Sequence, residues 1–177
     1  MSPLIRWEVL ENLLKDRNHE YGVEVGVNRA LNLFGLYKNL PNLKTIIGID
    51  PYGRTKEQKG GGNIESYQQF ITGLSERYKD APPKISYLCL SSEEASKLFK
   101  DEIFDWAFID ADHHYESVRL DISLWLPKIR KGGILAGHDY KNREAERNWG
   151  VAKAVHEAFE STHTINIEDN CVWWIEK

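Results

Sequence analysis

The stretch Phe104-Asp-Trp-Ala-Phe-Ile-Asp-Ala-Asp-His-His-Tyr115 changes character abruptly at Asp110. Residues 105–110 form a short, largely apolar run of strand length, the kind buried on both faces of a parallel sheet. Beyond that run the chain turns polar: Asp110, Asp112, His113 and His114 fall within five residues. A buried strand ending in such a cluster carries it to a sheet edge. In open α/β sheets, the carboxyl ends of strands are where ligands sit.

The same alternation extends in both directions. Toward the carboxyl end, Val118, Ile122, Trp125, Leu126 and Ile129 share a helical face that Lys131-Gly132-Gly133 is expected to stop. Residues 133–137 read as the next strand, which again ends on polar residues, His138 and Asp139. Val151, Ala154, Val155, Ala158 and Phe159 have the spacing of a helix packed on a sheet. Residues 162–168 and 171–176 read as two strands joined at Asp169-Asn170, a tight-turn signal. Toward the amino end, residues 84–90, 45–50 and 21–27 read as strands, and 31–40 as a helix stopped by Pro41. The first 18 residues hold a helix that Ser2-Pro3 opens, with Trp7, Leu10 and Leu14 on one stripe. Strands alternating with helices predict an α/β fold: a mostly parallel sheet, helices on both faces and an antiparallel hairpin at the end. No repeat or boundary interrupts residues 1–177, which are expected to form one domain. Residues 52–63 are polar with three consecutive glycines, a surface loop placed where a mobile lid would lie.

Composition narrows the function classes. The 177 residues carry 23 Lys and Arg against 27 Asp and Glu, a formal charge of −4. That balance argues against a dedicated nucleic-acid binder, which needs a concentrated basic face. Two cysteines, Cys89 and Cys171, build no disulfide framework and fit a reducing cytoplasm. No apolar run approaches the roughly 20 residues of a membrane span. The charged amino end does not read as a signal peptide.

Four places offer chemistry. Gly26, in Glu24-Val-Gly26 at the end of the first strand, lets a ligand approach the backbone closely. Asp50 ends the second strand, where nucleotide-binding folds put an acid against ribose hydroxyls. The alternative for this pair is a tight turn and a capping aspartate. Asp110 ends the strand in the middle of the chain, and His138 and Asp139 end the next. If those strands are neighbours, roughly 4.8 Å apart, the three side chains converge. Two carboxylates and an imidazole suit a divalent cation, with magnesium favoured by the carboxylates. His113, three residues beyond Asp110, reaches the same cavity as a general base. The plainer reading of Asp110 and Asp139 is strand-end hydrogen bonding. Asp112 reads as a helix cap, and His19, His156 and His163 as structural. Trp106, Trp125, Trp149, Trp173 and Trp174 fit core positions better than a pocket. Arg143, Glu144, Glu146, Arg147 and Trp149 follow the fifth strand, where they could border an acceptor cavity, although a solvated helix start is the plainer reading.

The ordered set Glu24-Val-Gly26, Ile49-Asp50, Ile109-Asp-Ala-Asp-His-His-Tyr115 and Gly132-Gly-Ile-Leu-Ala-Gly-His-Asp139 resembles the class I S-adenosylmethionine-dependent methyltransferases. It is most similar to small-molecule O-methyltransferases with IDxDHxY and GGxxxGHD segments. The resemblance implies a Rossmann-like three-layer sandwich with a seven-stranded sheet. It also implies a cofactor site at Glu24, Gly26, Asp50, Ser91, Ser92 and Asp110, and a metal site at Asp110, His138 and Asp139. Asp110 and His113 would carry the catalysis, His113 as base. The implied activity is metal-assisted methyl transfer to an oxygen of a small hydroxylated acceptor, using magnesium or another divalent cation. Ala30 stands where the family commonly has a glycine. The short amino end leaves the acceptor pocket open, or completed by another subunit of a homo-oligomer. These departures motivate an alternative, a cofactor-binding partner or regulatory module without its own transferase activity. A metal-dependent hydrolase using the same Asp/His cluster is a third reading, which leaves Gly26 and Asp50 without a purpose.

Overall fold

The computed structural model describes residues 4–53, 63–77, 85–140 and 150–177. Most of the expected lid, the Ser2-Pro3 helix start, Arg143, Glu144, Glu146, Arg147 and Trp149 lie outside them. The elements are α1 (Arg6–Leu14), β1 (Tyr21–Val25), α2 (Leu31–Asn39), β2 (Thr45–Ile49), α3 (Ile64–Arg77), β3 (Ile85–Leu88) and α4 (Ser92–Ser96). They continue with β4 (Phe104–Ile109), α5 (Tyr115–Trp125), β5 (Ile129–Gly137), α6 (Val151–Phe159), β6 (Asn166–Ile167) and β7 (Trp173–Glu176). The seven strands form one sheet in the order β3-β2-β1-β4-β5-β7-β6. Pairing is parallel from β3 through β5 and antiparallel for β7 and β6. This is the expected Rossmann-like architecture.

Strand alternation builds the three layers. On β4, Trp106 and Phe108 turn to the face covered by α1, α2 and α3, where they pack among Leu10, Leu14, Leu33, Leu36 and Phe70. Ala107 and Ile109 turn to the other face, against Val118, Ile122 and Trp125 of α5 and Val155 and Phe159 of α6. Every residue of β4 is buried, which is why its sequence reads as a largely apolar run; its one charged residue, Asp105, accepts the N–H groups of Glu20 and Tyr21. Each large side chain buried this way contributes roughly 1.5–3 kcal/mol before the entropic cost of ordering it.

Several boundaries differ from the sequence reading. Helix α5 stops at Trp125, and Ile129 belongs to a strand, paired with Phe104. Pro127 explains this: it has no N–H to donate, and its ring clashes with the preceding turn of a continuing helix. The glycines at 132 and 133 do not precede β5 but sit inside it. There the register jumps from Phe104↔Ile129 to Trp106↔Ile134, and Gly132 takes a φ of 73°. The terminal hairpin is shorter than expected, with β6 only two residues long. The N–H groups of Thr162 and His163 donate to the Phe159 carbonyl, finishing α6 instead of entering a strand. Helices α3 and α4 were not anticipated. Tryptophans 106, 125 and 173 are fully buried core residues, as expected. No helix among the described residues is long and apolar enough to cross a membrane.

Candidate active site

Strand register assembles the site. Val25 pairs with Ile49 and with Ile109, and Ile109 pairs with Gly137. The next residue on each strand is therefore Gly26, Asp50, Asp110 and His138, four neighbours along one sheet edge. Hydrogen bonds continue the ladder one step further: Gly26 N–H donates to Ile49 O (2.8 Å), Asp110 N–H to Val25 O (2.8 Å) and His138 N–H to Ile109 O (3.1 Å). The chain runs outward from β1 through β2 to β3, then crosses to β4 on the other side of β1. That reversal makes the gap between β1 and β4 the switch point at which such sheets bind ligands. A cavity of about 770 Å3 opens there. Its lining includes Glu24, Gly26, Asp50, Asp110, His113, His138 and Asp139.

Asp139 has a φ of 60°, a left-handed conformation that aspartate tolerates. The carboxylates of Asp110 and Asp139 and the ring of His113 bring ligand atoms within 4.8 Å of one another. His113 Nε2 lies 3.1 Å from Asp139 Oδ2 and 3.7 Å from Asp110 Oδ1. His138 Nδ1 lies 3.0 Å and 3.7 Å from the same two oxygens. The neighbouring-strand condition of the sequence reading is thus met, and His113 stands as close to the carboxylates as His138 does. The opposite nitrogen of His138, Nε2, is 3.1 Å from Asn170 Oδ1, while Asn170 Nδ2 donates to the Leu4 carbonyl at 3.1 Å. That second bond orients the amide, so its oxygen accepts from His138 Nε2–H and Nδ1 is turned toward the carboxylates. Burial lowers the affinity of His138 for a proton, but the bond and charge of Asp139 and the charge of Asp110 outweigh it and raise its pKa.

The cofactor-side residues divide. Gly26 has a φ of 92°, and a Cβ there would meet the Asp110 carbonyl oxygen at 2.2 Å. The close approach that demands glycine is therefore made by the chain's own β4 end. Asn28 and Ala30 are also left-handed, with φ of 49° and 59°. Ala30 tolerates this while its methyl is fully buried among core residues. Asp50 accepts the N–H groups of Val27 (3.1 Å), Asn28 (2.9 Å) and Tyr52 (2.9 Å), which fixes the β1–α2 turn at the cavity wall. Glu24 is buried, with Asn32 Nδ2 donating to Oε1 at 3.2 Å. Burial, and then the charge of Asp110, raise its pKa well above 4.5. Ser91 and Ser92 do not line this cavity. Ser91 caps α4 and bonds Glu94, while Ser92 donates to the buried Asp121 and accepts from Trp125 Nε1 at 2.8 Å.

The sequence reading missed Arg6, Trp7 and Asn170, which also line the cavity. Arg6 makes an ion pair with Asp110 from 104 residues away. Asn170 carried a turn signal, borne out by its φ of 56°, but nothing local shows its amide reaching His138. Asp112 accepts from the His114 N–H (3.2 Å) and Ser117 hydroxyl (2.8 Å), although the residue at the cap position of α5 is His114. His156 bonds the Tyr140 hydroxyl, and His163 packs on Phe159 with ring centres 5.4 Å apart.

Comparison with known proteins agrees with this architecture. A search of curated proteins finds no match to the sequence. A protein from Corynebacterium glutamicum superposes with a TM-score of 0.71 at 14% identity, covering 100% of this chain and 82% of that one. An O-methyltransferase from Bacillus cereus, solved in complex with SAH, gives 0.66 at 13% identity, covering 100% and 84%. A proposed rRNA methylase from Clostridium thermocellum gives 0.69 at 13% identity, covering 98% and 97%. At these identities the likeness is one of fold. The family model described as a methyltransferase domain matches residues 20–140, from the start of β1 through the residues that close the Asp/His cluster. This chain belongs to that methyltransferase domain family.

Proposed function

We propose that the protein transfers the methyl group of S-adenosylmethionine to an oxygen of a small hydroxylated acceptor, with a divalent cation at the Asp/His cluster. The observation that carries this reading is the convergence of two carboxylates and two imidazoles at the switch point, one strand from Gly26. The donor set fits a cation. Asp110 and Asp139 supply hard oxygens, and the Asn170 bond turns His138 Nδ1 toward them. Imidazole admits manganese or zinc as well as magnesium.

When bound, the cofactor supplies an electrophilic methyl on a sulfonium, and the cation a Lewis acid that lowers the acceptor hydroxyl's pKa. Asp110, Asp139 and His138 would hold that cation. His113 is the more accessible imidazole, with its side chain 24% exposed against 11% for His138, and it serves as the base. Its Nε2 would accept the proton that the acceptor hydroxyl gives up in the transfer. The wall formed by Gly26, Asp50 and the turn they frame would seat the cofactor. Ser91 and Ser92, at the start of α4, keep a proposed place beside the adenine. The charge balance still favours a small acceptor over RNA.

Calorimetric titration with S-adenosylmethionine and S-adenosylhomocysteine, with and without magnesium, tests this directly. One-site binding that changes on adding magnesium, and loses that change in Asp110→Ala, is the expected result. His113→Ala is expected to lower turnover more than cofactor affinity. No binding from a folded sample would end the reading. Normal cofactor binding without methylation of any acceptor in a broad panel would favour the regulatory-module alternative.

A further inference from the structure

Two polar ties of the amino-terminal segment lead to the Asp/His cluster, one directly to Asp110 and one through Asn170 to His138. Arg6, in the first turn of α1, pairs with Asp110 through Oδ2. One residue position before α1's cap, the Leu4 carbonyl accepts from Asn170, whose amide oxygen faces His138. Further along, α1 is held differently: Val9, Leu10 and Leu14 are buried against α2 and the sheet. Leu4 and Trp7 are partly buried against the same core, so the start of the helix is held by charge together with these partial apolar contacts, and the rest by fully buried ones.

The two partners of the ion pair are unequally fixed. Asp110 is set by the strand ladder, and its side chain is 9% exposed, whereas Arg6 is 40% exposed on a long flexible stem. Asp110 and Asp139 face one another across less than 4.8 Å, so two carboxylates there need positive charge nearby. Arg6 supplies it now, through the oxygen of Asp110 that does not face the imidazoles.

We infer that Arg6 is a built-in counter-cation for Asp110, and that a divalent cation binds in competition with it, loosening the start of α1 as the cluster fills. This inference rests on the metal-assisted reading of the site and adds its regulation. The guanidinium and the cation draw on one carboxylate's charge and repel each other, so each weakens the other's hold. Trp7, beside Arg6 on the cavity wall, would move with the helix start.

The test is titration of the full chain with manganese chloride by calorimetry, comparing the native protein with Arg6→Met and Arg6→Lys. Methionine keeps an apolar stem of similar course while removing the charge; lysine keeps the charge. Arg6→Met is expected to bind manganese about tenfold more tightly, with Arg6→Lys close to the native protein. Equal or weaker binding in Arg6→Met, with binding abolished by Asp110→Asn, would overturn the role of Arg6 and leave the metal site standing. No binding in any of the proteins would overturn both. Hydrogen exchange gives a readout independent of affinity. The amides of Glu8 and Val9, bonded to the Ile5 carbonyl at 3.0 and 3.2 Å, should lose protection on manganese saturation of the native protein. Unchanged protection at saturation would overturn the loosening of α1.

Discussion

Gly26→Ala probes the contact that brings the two halves of the sheet together. A Cβ at this position would lie 2.2 Å from the Asp110 carbonyl oxygen, 2.5 Å from its carbon and 2.7 Å from the Ala111 Cα. All three are backbone atoms, so no side chain can rotate away. Ordinary contact begins at 3.4 Å, so the end of β4 must retreat by 3.4 − 2.2 = 1.2 Å. Asp110 is also tied to β1 through its N–H bond to Val25 O at 2.8 Å, which resists that movement. Overpacking of this kind costs about 1–3 kcal/mol. Alanine at a φ of 92° adds about 1–2 kcal/mol. Restricting the unfolded chain returns only about 0.4–1 kcal/mol. The expected net loss is about 2–4 kcal/mol, read by urea denaturation at pH 7. Manganese and S-adenosylhomocysteine binding should fall together, because Asp110 is carried away from Asp139. A loss under 1 kcal/mol with manganese binding intact would refute the reasoning. It would mean that Gly26 serves only the approach of a ligand, not the chain's own packing.

Three further outcomes rest on named contacts. Asp121 is buried, and burial raises its carboxyl to about 6 against an ordinary 3.8. The native state therefore binds the extra proton, so the Asp121 contribution to stability should be full below pH 3.8 and fall by about 3 kcal/mol as pH rises through 6. Asp121→Asn can still accept from Ser92 and should flatten that part of a pH series of urea melts; an unchanged profile would exclude Asp121 as its source. Asn170→Ala removes the acceptor that orients His138, and manganese affinity measured by calorimetry should fall about 10–100-fold, whereas an unchanged affinity would leave Asn170 as a turn residue alone. Ala30→Gly should shift the urea midpoint little: relief of about 1–2 kcal/mol of left-handed strain is offset by a lost buried methyl and a freer unfolded chain. A gain above 2 kcal/mol would show that the methyl contributes nothing.

Much of the fold was legible because buried strands write themselves plainly. The five parallel strands, α2 and α6 are apolar runs or helical stripes bounded by proline, glycine or acids, and each lies within a few residues of its expected place. The misses have separate causes. Helix α4 is five residues held by a Ser91–Glu94 capping box, too short for periodicity to register. In β5, the glycines that resemble a stop instead absorb a register jump that only the partner strand defines. The end of α5 is set by Pro127, whose local effect is masked by the apolar stripe running on to Ile129.

The site divides along the same line. That Asp110, His138 and Asp139 end buried strands follows from the sequence, because an apolar run that turns acidic must leave the core there. Local pattern also determined the layered α/β class, since the side-chain period along each segment dictates which face is buried. That the strands are neighbours, in register to one residue, was decided by tertiary hydrogen bonding, which no single segment encodes. Only the folded chain brings Arg6 to Asp110 and Asn170 to His138 across separations of 104 and 32 residues. Such contacts depend on how α1 and the terminal turn pack over the sheet. Local propensity fixes the conformation of each piece; the packing of the pieces fixes which charges meet.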